Sequence, residues 1–420
     1  MKILVCGASG FVGSAIANRL ERDGHQVIRG VRQPARPGEI AVDYTSDLTP
    51  DVWLNRLDGI EAVVNAVGIL VERGTQTFEA LHTQTPIALF TACRMQDVKQ
   101  VVQISALGVE SRETPYFASK YAADEFLLAQ PIRAHVLRPS LIYGTNGTSA
   151  RMFRMSASLP VHMMPAGGRQ QLQPVHLEDL AELVARLLDP DVKTTSPPCL
   201  NVVGNTPVTY REMLDAYRKS MGLAPAFAIT IPACIVRFVA FLGGKIPGSP
   251  LTPDTWRMLQ RGNTADAKSF AEVLGHVPMG IETFIKPDAA PALRTEACSV
   301  WQGWMLRIAL AIVWIGSAVV SAALYPHAES LALLGRLNLH EIAADVTLYG
   351  ACLLDFGLGI ATLLKPGRKL WLLQMAVILI YSTLVAVALP EFLIDPFGPI
   401  LKNIPMLALL TLLLNEEIRS

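Results

Sequence analysis

The sequence predicts an α/β fold, a doubly wound parallel sheet with a small substrate lobe, followed by an all-α four-helix transmembrane domain. Three features predict it. Apolar runs alternate with helix-period stretches through the first half, in the order KILVCG, SAIANRLERDG, QVIRGV, AVVNAVG, PIALFTACRMQ, VVQIS, YAADEFLLA and AHVLRP, the pattern of a parallel sheet with crossover helices. Beyond Gly144 the pattern turns irregular and rich in Pro, Gly and Met, as in a smaller lobe built from returning segments. From about Trp301 four long apolar stretches follow. These changes set boundaries at 1–145 for the sheet core, 146–295 for the lobe and 300–416 for the helices, since 420 residues exceed one ordinary core.

Composition removes several function classes. Lys plus Arg and Asp plus Glu number 36 each, for a formal charge of zero, and no basic cluster is interleaved with aromatics, so a nucleic-acid partner is not expected. The six cysteines are scattered, with no CxxC pair and no His at ligand spacing, which predicts no metal and a reduced, cytoplasmic setting. MKILVCGASG runs from a strand straight into a glycine turn, so no signal peptide is expected ahead of the domain.

The first strand leads into GASGFVG, a turn formed by Gly7, Ser9, Gly10, Phe11, Val12 and Gly13 and continuing into a helix. Gly7 permits the tight turn, Gly10 lets the backbone approach a pyrophosphate, and Gly13 allows helix to pack on strand. This strand, turn and helix predict a bound nicotinamide dinucleotide. The second strand ends in HQVIRGVRQPARPG, with Arg29, Arg32 and Arg36 and no carboxylate. An arginine there meets a 2′-phosphate where an acid would bind a ribose hydroxyl, so NADP(H) is preferred over NAD(H), with Arg32 the phosphate partner. Asp43, after the short strand EIAVD, either reaches the adenine or is a solvated strand end.

Tyr116 and Lys120 stand four residues apart in PYFASKYAADEFL, on one helix face. A lysine beside the tyrosine favours the phenolate and can hold the nicotinamide ribose, making Tyr116 a general acid or base. Ser105 follows the strand VVQIS, where its hydroxyl could bond a substrate carbonyl.

With these residues in place the chain resembles the extended and atypical branches of the short-chain dehydrogenase/reductase superfamily. GASGFVG, VVNAVG, VQISALGV, the Tyr116/Lys120 pair and LRPSLIYG match in order, and LQPVHLEDLA and LTPDTWRMLQRGN extend the likeness to about residue 290. That later half is most similar to the NAD(P)H-binding accessory subunit of respiratory complex I and its bacterial relatives. The last 120 residues resemble the DoxX-like four-helix membrane family. The resemblance implies Ser105, Tyr116 and Lys120 as a triad, hydride transfer at a carbonyl, alcohol or sugar carbon, and the strand-end residues Asn65, Ala66, Val67 and Pro139 as further cofactor contacts. His82 stands where many relatives have an asparagine that completes a proton relay, so the relay is altered or absent.

The apolar stretches run from about Trp304 to Leu324, Ile342 to Leu364, Leu370 to Leu389 and Ile400 to Leu414. All but the last reach the roughly 20 residues a bilayer core requires. KPGRK lies between the second and third stretches and Arg294 and Arg307 flank the first, whereas the other connections carry Glu329, Glu391 and Asp395 with Arg336 alone. The excess of Lys and Arg predicts an inner-membrane, multi-pass protein with its N-terminal domain and C-terminus cytoplasmic. Asp355, near the centre of the second span, is either functional or structurally satisfied, by protonation or by pairing with His340, Arg307 or a helix end. Asp345 and the His340/Glu341 pair read as solvated interface residues, and Gly350, Gly357 and Gly359 as points of close helix approach. The segment Ile231 to Gly248 reads as a core helix of the lobe, with an interfacial helix as the alternative.

The combined expectation is a membrane-tethered NADPH-dependent oxidoreductase acting on a lipid-soluble or membrane-delivered carbonyl or alcohol, quinone-like or isoprenoid among the candidates. The rival expectation is a nucleotide-binding structural, assembly or sensor protein among the subunits of a membrane complex. A third is that the helical bundle carries electrons or solute under control of the nucleotide domain.

Overall fold

The computed structural model describes residues 1–189, 197–246, 249, 251–394 and 400–419. Asp395 and Gly248, which entered the readings above, lie outside the described residues. The chain divides into two compact units, Met1–Ala297 and Cys298–Ser420.

In the first unit the elements run β1 (Lys2–Cys6), α1 (Phe11–Arg22), β2 (Gln26–Val31), β3 (Glu39–Ala41), β4 (Ala62–Asn65), α2 (Thr85–Met95), β5 (Gln100–Ile104), α3 (Pro115–Leu128), β6 (Arg133–Pro139), α4 (Leu177–Leu188) and β7 (Cys199–Val202). All seven strands are parallel, in the spatial order β7-β6-β5-β4-β1-β2-β3. The continuous apolar run of β1 reflects cover on both faces. Ile3 and Val5 pack with Ile16, Leu20, Leu183 and Leu187 of α1 and α4, while Leu4 and Cys6 pack with Leu89, Phe90 and Cys93 of α2. Strand order reverses between β1 and β4, and the crevice at such a reversal is where open α/β sheets bind ligands. The glycine turn follows β1 and the loop at Ala66–Ile69 follows β4, so both flank that crevice.

The lobe closes over its own core, in which Tyr143, Phe153, Met213 and Tyr217 pack with Phe284, Leu293 and Ala297. Its strands Val161–Pro165 and Phe227–Ile231 pair in parallel. The helix Ala233–Gly243 departs from the core reading. Val236, Ala240 and Gly243 are buried, beside Trp256, Ala233 is half-buried against them, and the rest of its apolar residues are exposed.

In the second unit α5 (Ala290–Val319) starts within the first and continues through a wider turn to Leu324. It is followed by α6 (Glu341–Leu364), α7 (Arg368–Ala388) and α8 (Asn403–Arg419). The first three are long and apolar enough to cross a membrane. The 17 residues of α8 rise about 26 Å, short of a hydrocarbon core of about 30 Å. Leu310, Trp314, Leu358, Trp371, Ile378 and Leu413 form the seam. Large apolar side chains such as Ile312, Val346, Leu353 and Val387 face outward, the reverse of a water-soluble bundle.

The glycines of α6 differ among themselves. A Cβ on Gly359 would lie 2.6 Å from Ile315 of α5, whereas Gly350 and Gly357 face open space. Close approach therefore explains Gly359 and neither of the others. The carboxylate of Asp355 is approached by Tyr381 Oη of α7 at 3.5 Å, and Ser317 of α5 is a second side-chain partner. Asp345 pairs with His327 at 3.0 Å.

Candidate nucleotide and catalytic site

Gly7 sits at φ 79°, a conformation glycine adopts without strain, and its carbonyl accepts from Gly10 N–H at 2.8 Å. A Cβ on Gly13 would lie 2.2 Å from that same carbonyl oxygen, so α1 can rest on the turn only with glycine there. The start of α1 has no side-chain cap and no acidic residue in its first turn. Its N–H groups are left to an anion. Ser9 is exposed, and the Phe11 ring packs where a Cβ on Gly144 or Gly147 would stand, 2.8 Å away, seating the turn against the lobe. Val12 packs on the sheet core.

At the end of β2 the three arginines separate. Arg29 is held by Glu21 at 2.8 Å and Asn18 at 2.6 Å. Arg32 and Arg36 are exposed, and among the described residues Arg32 makes no ion pair. Glu39 folds the loop by accepting from the N–H groups of Ala35 and Arg36. Asp43 is engaged locally, taking the N–H and hydroxyl of Thr45 at 3.0 and 2.8 Å. Asn65 is an interior clip, accepting from Tyr44 Oη and donating to Gln103. Ala66 and Val67 lie against Gly7, and Pro139 is buried at the end of β6, its carbonyl accepting from Leu107 N–H.

Helix α3 starts at Pro115 behind a Thr114 cap that accepts from Phe117 N–H, which places Tyr116 in the first turn and Lys120 in the second. Lys120 is buried, donates to the Ile104 carbonyl at 3.1 Å, and has its Nζ 5.9 Å from the centre of the Tyr116 ring. A Cβ on Gly68, in the loop after β4, would lie 3.3 Å from Lys120 Nζ. Burial pulls Lys120 down to about 8, against the upward pull of Asp124. Burial, and then the Asp124 charge, push the Tyr116 hydroxyl above its ordinary value. The spacing argument has Lys120 favouring the phenolate; here the shift of the Tyr116 hydroxyl runs the other way, with burial its first cause.

Ser105 is engaged by the same helix that carries Tyr116. Its hydroxyl donates to Asp124 at 2.6 Å, on the oxygen that also takes Arg138 Nε at 3.3 Å, and Arg138 reaches Glu110 as well. Burial lifts Asp124 to about 6 despite the opposing bonds from Ser105 and Arg138. His82 is buried, edge-on to Tyr116 and stacked on Phe78. Its Nε2 accepts from Ile69 N–H at 3.0 Å, so the proton sits on Nδ1 and points to Ser119 at 3.1 Å. Burial, then the Lys120 charge, lower it to about 2. Asp124 escaped the motif reading, although it continues the series 116, 120, 124 on one helix face.

Residues 3–202 match the NAD dependent epimerase/dehydratase family, and residues 311–411 match the DoxX-like family. The chain joins an epimerase-type domain to a DoxX-like domain. The expected resemblance to short-chain dehydrogenases and to the DoxX-like family is thereby met, with residues 3–202 an epimerase-like NAD(P)-binding domain. A ceramide reductase of Caulobacter vibrioides is 26% identical over 232 residues, 53% of this chain and 71% of that protein. A 2-alkyl-3-oxoalkanoate reductase of Stenotrophomonas maltophilia is 28% identical over 175 residues, 34% of this chain and 52% of that one. A human epimerase family protein solved with NADPH superposes with a TM-score of 0.52 at 20% identity, covering 71% of this chain and 99% of that one. Its extent agrees with an epimerase-type fold that includes the lobe.

Proposed function

We propose that the chain is a membrane-anchored reductase that uses NADPH in preference to NADH. Its substrate is a carbonyl compound that is lipid-soluble or delivered by the membrane, and Tyr116 is the general acid. The observation that carries this is the Tyr116 ring standing 5.9 Å from the Nζ of buried Lys120, which itself lies against Gly68 in the loop after β4. Both relatives are named as reductases, one of a ceramide and one of a 2-alkyl-3-oxoalkanoate.

The uncapped start of α1 and the glycine cradle fit a pyrophosphate, held by the backbone of Ser9, Gly10, Phe11, Val12 and Gly13. In this reading Arg32 would meet a 2′-phosphate and Lys120 the ribose hydroxyls. When bound, the reduced dinucleotide supplies hydride to the carbonyl carbon. Tyr116 gives its proton to the carbonyl oxygen, which becomes the alcohol, and the Lys120 charge stabilises the phenolate left behind. The arginine and lysine bias of the loops supports an inner membrane with both termini cytoplasmic.

A second reading, a nucleotide-binding structural, assembly or sensor protein, is favoured by one feature: the hydroxyl of Ser105 and both nitrogens of His82 are engaged within the protein. One set of measurements separates the two. NADPH and NADH are titrated into full-length wild type and Tyr116→Phe, and turnover is followed with candidate carbonyl compounds. The reductase reading expects tighter NADPH binding, unchanged in the variant, with turnover lower by about 10²–10⁴. Full cellular function in Tyr116→Phe supports the second reading, and equal or tighter NADH binding removes the role of Arg32.

A further inference from the structure

The helix Ala233–Gly243 and the strand before it form an apolar surface that the fold leaves uncovered. Ile235, Phe238, Val239 and Leu242 recur at the spacing of one helix face and are exposed, Phe238 to 62%, and Ile246, in the turn past the helix end, is exposed to 63%. Val236, Ala240 and Gly243, with half-buried Ala233, hold the helix to the lobe. Phe227, 82% exposed, and Ile229 continue the apolar surface along the strand, which reaches the helix through Ile231 and Pro232. Arg237, Phe241 and Lys245 form an adjacent stripe, with Lys245 Nζ 4.7 Å from the centre of the Phe241 ring. From Ala216 to Pro253 there is no acidic residue, against four basic ones.

We propose that this face is a membrane-contact surface: the helix lies in the headgroup layer of an anionic bilayer, its apolar face toward the acyl chains and Arg237 and Lys245 among the lipid phosphates. A continuous apolar stripe edged by cations is what an in-plane interfacial helix requires. A second copy seated on the same face by two-fold symmetry would set like charges against each other, whereas anionic lipid matches them. The spans of the same chain keep this surface at high effective concentration near lipid. The proposal rests on the membrane reading of those spans and not on catalysis.

The test uses the full chain with Cys199, Cys234 and Cys298 changed to Ser and a nitroxide attached at Phe238→Cys, in nanodiscs of neutral or partly anionic lipid. Collision with oxygen and with a water-soluble nickel chelate reports the surroundings. The expected result in anionic discs is a label open to oxygen and closed to nickel, with a label at Gln96→Cys behaving oppositely. Arg237→Gln and Lys245→Gln should each lower the ratio of embedded to exposed label about fivefold. A label open to nickel in anionic discs overturns the proposal, as does one closed to both reagents, which would mean a protein contact. A label at Leu353→Cys, outward on α6, reports lipid if the spans cross the bilayer, so failure at 238 alone is failure of this proposal.

Discussion

The two units tie three elements together across a dry interior with opposite chemistry. In the epimerase-type domain the tie is ionic. Asp124 of α3 takes Ser105 from the end of β5 and Arg138 from β6, with Lys120 one helical turn away, and all four residues are buried. In the DoxX-like unit the tie is neutral. Trp314 of α5 donates to Gln374 of α7 at 2.9 Å, and Gln374 donates to Thr362 of α6 at 2.8 Å, with Gln374 and Thr362 fully buried. A charge can be kept in the first because paired and hydrogen-bonding groups surround it. In hydrocarbon an unpaired charge is costly, and neutral hydrogen bonds fix the helices without that penalty.

Breaking the ionic tie has the largest expected effect. Asp124→Ala leaves Lys120 and Arg138 buried with less counter-charge and should destabilise the first unit by about 3–5 kcal/mol, measured by hydrogen exchange of α3 in the full chain. Asp124→Asn tests the charge alone. Asp124 now supports the Lys120 ammonium, whose value of about 8 already lies below the ordinary one. Affinity owed to that cation is lost as pH rises through about 8, and without Asp124 it should be lost at lower pH. NADPH titrations across pH 6–9 read the shift, and an unmoved alkaline limb would break the link between Asp124 and Lys120.

The second effect concerns the glycine turn. The atom a Cβ on Gly13 would strike is the Gly7 carbonyl oxygen, and backbone offers no rotamer to escape. Gly13→Ala should therefore cost about 3 kcal/mol, the upper end for overpacking, and abolish measurable NADPH binding in calorimetry.

How much of this was legible follows from the range of each interaction. The glycine turn and the Tyr116/Lys120 pair are written in spacings of three and four residues, and the sequence shows them directly. The same spacing carries Asp124, but its meaning depends on Arg138, which arrives from another strand. The position of β7 beside β6 is a long-range pairing of a short segment that no local pattern announces. Ser105 was assigned to substrate because its place at a strand end is visible and its partner is not. The helix Ala233–Gly243 was read as core because apolar composition does not say which face is covered.

In the membrane unit the neutral tie should be weaker than the ionic one. Gln374→Leu leaves the Trp314 N–H and the Thr362 hydroxyl each short of a partner and should cost about 1–2 kcal/mol, read as earlier thermal unfolding in detergent. Thr362 still donates to the Leu358 carbonyl within α6 at 2.8 Å, so its proton stays bonded while both links between helices are lost. A cost equal to that of Asp124→Ala would erase the contrast between the units.

The smallest effect sharpens the contrast at a single atom. A Cβ on Gly359 would meet chiefly the Ile315 side chain, with the Ile315 backbone nitrogen at 3.2 Å, instead of the backbone oxygen that stands 2.2 Å from a Cβ on Gly13. Ile315 can turn aside, and alanine is the better helix former by about 1 kcal/mol, so Gly359→Ala should cost no more than about 1 kcal/mol. Gly357→Ala, two residues away and facing open space, removes the glycine penalty with no collision and should leave stability equal or slightly higher. Measured together in one detergent, the pair separates helix propensity from helix contact. If Gly359→Ala proved as damaging as Gly13→Ala, α5 and α6 would have to be held as rigidly as the nucleotide turn.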